Sequence, residues 1–147
     1  MFPITVSAAF GNAPPRRPCV LCLKGKQGGA DMILTEWFSW LNIRRNPMIS
    51  FSLPRDAAFG TDLREGDSFA LAFPPADTAK KYKKGISISA DNCLPIASSA
   101  LPIPIPADSE IVLTCNLAGA YNYPFKRIRI FNCNLDEAFG DPESIVF

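Results

Sequence analysis

The sequence contains no histidine. That absence removes Ser-His-Asp triads, Cys-His nucleophile pairs and every His-ligated metal site. Proton chemistry is left to carboxylates, lysine, tyrosine, cysteine, water or a cofactor. An excess of one charge is also lacking. Fifteen Lys and Arg against fourteen Asp and Glu leave a net charge of +1, without the basic surplus of a nucleic-acid binder. No apolar run reaches the roughly 18 residues of a transmembrane helix. The basic pair Arg16-Arg17 follows the apolar N-terminal residues, the reverse of a signal peptide, so the expectation is a cytoplasmic protein with no membrane partner.

The five cysteines, Cys19, Cys22, Cys93, Cys115 and Cys133, are odd in number and scattered, which reads as reduced, mostly buried thiols. Cys19 and Cys22 have Cys-x-x-Cys spacing, but no second such pair exists to complete a zinc site, and no metal is expected. Their setting reads as a strand, where residues three apart face opposite sides. A redox dithiol would sit at a helix N-terminus instead.

The 147 residues, 48% apolar and 20% charged, make ordinary globular material and suit one domain over 1–147. Apolar residues come in short runs of period two, bounded by Gly, Pro, Asn and Asp, which is the strand signal. Strands are expected at 19–23, 32–41, 47–53, 68–73, 110–117 and 126–134, with a hairpin turn at 24–29. In the last strand Arg127 and Arg129 lie opposite Ile128 and Ile130. A short helical turn is expected at 61–65, ended by Gly66, and a basic helix at 76–84, closed by Gly85. The alternating prolines of 101–106 cannot donate in a central ladder and read as an edge or polyproline-like connector. Many short antiparallel strands with one or two short helices make a mainly β protein, a closed or nearly closed barrel.

The most informative block runs from Gly28 to Phe73. Asp31-Met-Ile-Leu-Thr-Glu-Trp37 is followed by Ser50-Phe-Ser-Leu-Pro-Arg55 with Thr61, and then by Glu65-Gly-Asp-Ser-Phe69. In order and spacing these segments resemble the flavin reductase-like, FMN-binding split-barrel family. The likeness extends loosely to Glu110–Cys115 and Arg127–Phe131, and so spans about residues 15 to 135.

The resemblance implies a split β-barrel of Greek-key-like order that binds FMN. Leu34, Thr35, Glu36 and Trp37 would meet the isoalloxazine ring, largely through backbone groups. Ser52, Leu53 and Arg55 would continue that wall. Arg55 and Thr61, with amides at the start of the helical turn, would hold the phosphate. A guanidinium pairs with phosphate bidentately, and a helix N-terminus adds donors and positive potential. The chain departs from the family at Asp31, where Asn is usual, and at Ala120-Tyr-Asn-Tyr-Pro124, where many members carry Gly-Asp-His near the nicotinamide site. The second departure bears on NAD(P)H as electron donor more than on flavin binding.

Lys80, Lys81, Lys83 and Lys84 crowd around Tyr82, and Arg44-Arg45 sits in a turn. The lysines read either as a solvated helix face or as a basic rim for phosphates.

The functional expectation is an FMN-dependent oxidoreductase, a flavin reductase or flavoredoxin-like electron carrier. In it the flavin accepts hydride or electrons and no side chain is catalytic. NAD(P)H or a redox protein would be its partner, and a homodimer its assembly. The alternative is a non-catalytic split-barrel binding protein that has lost flavin or takes another ligand. A dithiol protein using Cys19 and Cys22 is the third reading. Cys22→Ser would abolish its activity and leave a flavin protein little affected.

Overall fold

The computed structural model describes residues 1–25, 29–88, 93–95 and 103–146. Its strands are β1 (Phe2–Pro3), β2 (Val20–Lys24), β3 (Ala30–Leu34), β4 (Trp37–Asn42), β5 (Met48–Pro54), β6 (Ser68–Phe73), β7 (Ile86–Ile88), β8 (Cys93–Pro95), β9 (Pro104–Pro106), β10 (Ile111–Asn122) and β11 (Ile128–Gly140). Two short helices, α1 (Val6–Asn12) and α2 (Ala76–Ala79), and a 3₁₀ turn at Lys80–Tyr82 complete the described elements. The main sheet is antiparallel, in the order β4-β5-β11-β10-β6-β2-β3-β7, with β1 added to the end of β11. β8 and β9 form a separate two-stranded ladder.

The run expected as one strand over 32–41 is two, and the break shapes the molecule. β3 pairs with β2 and β4 pairs with β5. At the bend between them the Thr35 amide donates to the Cys19 carbonyl (2.9 Å) and the Glu36 amide to the Ser52 carbonyl (2.8 Å). Within two residues the chain therefore passes from one end of the sheet to the other. The sheet curls into a split barrel, joined at the split by the covalent chain and not by a β3–β4 ladder.

Alternation along the strands sorts side chains into two cores. The inner core fills the barrel with Leu21, Ile33, Phe38, Phe51, Leu53, Phe69, Phe73, Leu113 and Phe131 among others. Phe51 and Phe131 stack at its centre, with centroids 4.9 Å apart and ring planes 9° apart. Each such ring contributes about 1.5–3 kcal/mol by burial. The outer core lies between β2, β3 and β6 and the layer carrying Tyr82, Ile103 and Ile105. Cys19 belongs to the inner core and Cys22 to the outer one, so the Cys-x-x-Cys pair is split across the sheet.

Other expectations are corrected or refined. No helix forms over 61–65. The chain there makes successive turns, with the Leu63 amide on the Gly60 carbonyl (3.2 Å) and Gly66 at φ +91°. Gly60 is required by close approach: a Cβ would lie 2.7 Å from Leu21 and 2.9 Å from Leu53. This holds the loop close against the barrel end. The basic helix is one turn of α-helix continued as 3₁₀, closed by Gly85 as expected. The proline segment is edge strand at Pro104–Pro106, while residues 101–102 lie outside the described residues, as do 26–28 of the hairpin turn. Gly25 and Gly29 close that turn with a 2.8 Å bond. β10 and β11 run longer than expected, bent by register shifts at Thr114/Cys115 and Leu117/Gly119. α1, capped by the Thr5 hydroxyl on the Ala8 amide (3.1 Å), was not legible in the hydrophobic pattern.

Candidate functional site

β5 carries the centre of the site. Its alternation sends Phe51 and Leu53 into the barrel and Ser50 and Ser52 to the other face. Ser52 lies opposite Trp37 on β4 and Ile130 on β11, and Ile130 lies opposite Tyr121 on β10. Opposite residues share a face, so Trp37, Ser52, Ile130 and Tyr121 form one row across four strands. Trp37 is 38% exposed and Tyr121 49%, yet Ser52 between its larger neighbours is wholly buried. Its hydroxyl has no hydrogen-bond partner. An unpaired buried hydroxyl costs about 1–3 kcal/mol, so it calls for a reason.

The residues expected at the site divide into two sets. Leu34 ends β3, half-buried against the outer core. Thr35 is buried, and its hydroxyl as well as its amide donates to the Cys19 carbonyl (hydroxyl, 3.0 Å). The Thr35 and Glu36 amides are therefore engaged within the fold, although the Glu36 side chain is exposed. The Leu53 side chain is in the inner core. Trp37 and Ser52 sit side by side. Arg55 follows Ser52 by three residues, about 10 Å along extended chain. The Arg55 amide donates to the Arg127 carbonyl (3.0 Å) and its Nη2 to the Tyr123 carbonyl (2.5 Å). Thr61 is half-buried in the turn segment that caps the barrel end.

Ile130 and Tyr121 escaped the sequence reading, because partners across strands are set by register. The β10–β11 hairpin also escaped it. Its tip carries Tyr123 and Phe125 in edge contact (5.7 Å), with Phe125 83% exposed.

A cavity of about 900 Å³ opens at the same end of the barrel, lined by Leu23, Asp31, Phe59, Asp62, Leu63 and Asp67, among others. The Ser87 hydroxyl donates to Asp31 (2.7 Å), and Asp67 accepts from the Arg64 amide (2.8 Å). None of the eight expected site residues lines this cavity. Three carboxylates against Lys24 make it a poor seat for a phosphate.

Burial pushes the thiols of Cys19, Cys115 and Cys133 well above the ordinary value of 9.0, which keeps them protonated and unreactive. The four lysines around Tyr82 are exposed, whereas Tyr82 is buried in the outer core with the Lys81 ammonium 5.2 Å from its ring. No helix of the described residues is long and apolar enough to cross a membrane.

No family model matches this chain, and no curated protein matches it in sequence. Solved structures do. A flavoredoxin from Methanosarcina acetivorans superposes with a TM-score of 0.68 at 18% identity, covering 90% of this chain and 72% of its own. An NADH:FAD oxidoreductase from Streptomyces globisporus gives 0.69 at 16%, covering 94% and 82%. An FMN-binding protein from Thermus thermophilus gives 0.68 at 13%, covering 92% and 79%. These likenesses establish the architecture: the chain has the flavin reductase-like split-barrel fold.

Proposed function

From that fold and the row of residues on its outer face, we propose that the chain binds FMN and acts as a small flavin-dependent oxidoreductase. The carrying observation is the buried, unpartnered Ser52 hydroxyl beside the exposed Trp37 ring. An aromatic face offers apolar surface to a planar ring, and the hydroxyl offers a donor or acceptor to its polar edge. Leu34, Thr35, Glu36 and Trp37 form the strand bend against which the ring would rest, with Ser52 and Leu53 holding it from beneath. Arg55 has donors left after its bond to Tyr123 and suits a phosphate, with Thr61 on the adjoining loop. The expected helix amides are missing at 61–65, so side-chain cations must do what a helix N-terminus would have done.

A bound flavin supplies hydride or electron acceptance, which no side chain of this chain provides. The chain's own part is to seat the ring, exclude water beneath it and neutralise the phosphate. NAD(P)H or a redox protein is the proposed donor, by analogy with the NADH:FAD oxidoreductase from Streptomyces globisporus that shares the fold. We read residues 1–147 as one flavin-binding unit. Trp37, Leu41 and Tyr121 expose apolar area on the outer sheet face, which suits a homodimer. Free buried thiols suit a cytoplasmic setting.

The test is a visible absorption spectrum of the purified protein, repeated after loading with FMN and desalting. A retained flavin band is expected, lost in an Arg55→Ala, Thr61→Ala double variant. Ser52→Ala is expected to leave thermal stability unchanged or slightly raised while loosening the flavin. The acid-lined cavity favours a second reading, a non-catalytic barrel with another ligand. Absence of any flavin binding, in the presence of a normal melting transition, would support that reading.

A further inference from the structure

The main sheet runs from β4 to β7 without closing, so it has two free edges, and they differ. β7 is three residues long, Ile86–Ile88, and follows Lys83, Lys84 and Gly85. Brevity and lysines are common ways of keeping a sheet edge from pairing with other chains. β4 has neither protection. Its six residues, Trp-Phe-Ser-Trp-Leu-Asn, include no charge and no proline. β4 pairs with β5 along one side, and among the described residues no strand pairs with the other. Three of the eight large apolar side chains exposed on the described residues, Trp37, Leu41 and Ile43, crowd into this short stretch. The register shift at Trp40/Asn42 leaves Leu41 without an opposite residue on β5, and its side chain is 53% exposed.

Charge marks the two ends of this edge. Glu36 is exposed immediately before β4, its amide bonded to the Ser52 carbonyl (2.8 Å). Arg44 and Arg45 are exposed in the turn that follows the strand. Asn42 holds that turn: its Oδ1 accepts from the Arg44 amide (3.1 Å) and its Nδ2 donates to the Arg45 carbonyl (2.7 Å). None of the three charges forms an ion pair among the described residues. The edge is therefore apolar, with an anion at its start and two cations just past its end. A copy laid alongside in parallel would set like charges together. An antiparallel copy sets Glu36 beside the arginines at both ends.

We propose that the free edge of β4 pairs antiparallel with the β4 edge of a second copy of this chain, joining two sheets across a two-fold axis. The proposal gives the homodimer read above a definite contact and needs no flavin for its test. With the axis at Ser39, Trp37 of each copy lies opposite Leu41 of the other. Opposite residues share a face, so these exposed apolar side chains cover one another. Backbone groups that face solvent on a lone edge become ladder partners. Each end of the ladder brings Glu36 of one copy to the Arg44–Arg45 turn of the other. Exposed ion pairs are weak, so they select the orientation, while backbone pairing and apolar contact supply the affinity.

Sedimentation velocity of the purified protein over a range of concentrations tests the contact. Wild type is expected to be a dimer. Leu41→Lys puts a charge on the exposed edge and should weaken the dimer by about tenfold or more. Glu36→Arg should weaken it too, as should the Arg44→Glu, Arg45→Glu double variant, because each sets like charges together at both ends. Mixed in equal amounts, these last two proteins should form a heterodimer close to wild type in affinity, since each end then joins opposite charges. Tyr121→Lys, on the sheet face and away from the edge, should leave the dimer unchanged. The substituted side chains are exposed, so melting transitions should match that of wild type. A monomeric wild type would overturn the proposal, and so would a mixture that dimerises no better than its components. A dimer that Tyr121→Lys dissociates and Leu41→Lys leaves intact would move the contact from the edge to the sheet face. The absorption spectrum that tests flavin binding is read separately from all of these outcomes.

Discussion

The two sides of the barrel end carry opposite charge. On the β5–β11 side are Arg55 and Arg129, whose guanidiniums bond to Tyr123 and Asn122 of the β10–β11 hairpin, and Arg127 in the turn between them. On the β2–β3–β6 side are Asp31, Asp62 and Asp67 around an open cavity. A net charge of +1 conceals this division entirely. The larger concavity and the better anion site are therefore not the same place. Volume alone would put a phosphate-bearing ligand among carboxylates, where Coulomb repulsion opposes it. The opposite corner offers cations over an aromatic floor, on the sheet face opposite to the Trp37–Ser52 row.

The comparison can be broken at its common support. Both sides stand on the inner core, and Phe131 stacks on Phe51 while lying under Arg129. Phe131→Ala should cost about 3–5 kcal/mol, read as a lowered denaturant midpoint, and should loosen FMN as well. A loss below about 1 kcal/mol would mean that the stack is not central to the barrel. A smaller effect comes from pH. The Cys19, Cys115 and Cys133 thiols are raised by burial when folded, so above the ordinary value of 9.0 the unfolded chain releases protons that the folded chain keeps. Stability is thus full below about pH 9 and falls as pH rises, by up to about 1.4 kcal/mol per pH unit for each thiol. Denaturant unfolding between pH 7 and pH 10 checks the sign. A flat profile would show that these thiols are hydrated. The smallest effect sharpens the contrast between the sides. Asp62→Asn removes an exposed carboxylate from the cavity and should tighten FMN by about twofold at low salt, with the gain gone near 1 M salt. A loss of FMN affinity in this variant would place the phosphate in the cavity after all.

Much of this architecture is legible in the sequence. Period-two alternation located β2, β5, β6 and the first half of β10, and Ile111, Leu113, Cys115 and Leu117 do share the inner core. The strand setting of Cys19 and Cys22 correctly placed them on opposite faces. The segment 32–41 was misread as unbroken because Thr35 and Glu36 carry no turn residue. Their bend is imposed by hydrogen bonds to Cys19 and Ser52, distant in sequence. The 61–65 segment makes successive turns instead of a helix, between Gly60 at φ +89° and Gly66 at φ +91°.

Of the site, the sequence supplied Trp37, Ser52 and Arg55 as chemical types in a suggestive order. It did not reveal that the Thr35 and Glu36 amides are engaged in the fold, nor that Tyr121 and Ile130 extend the row. What the sequence by itself determined is what short-range periodicity and composition control: strands, the lack of any histidine chemistry, the opposite-face setting of the Cys-x-x-Cys pair and the family likeness. What only the tertiary structure decided is register. Sliding β11 against β5 by one residue would send Arg129 to the outer face and Ile130 inward, because successive side chains point to opposite sides. Local sequence leaves that choice open. It is fixed by the Phe51–Phe131 stack in a core built from strands far apart in the chain.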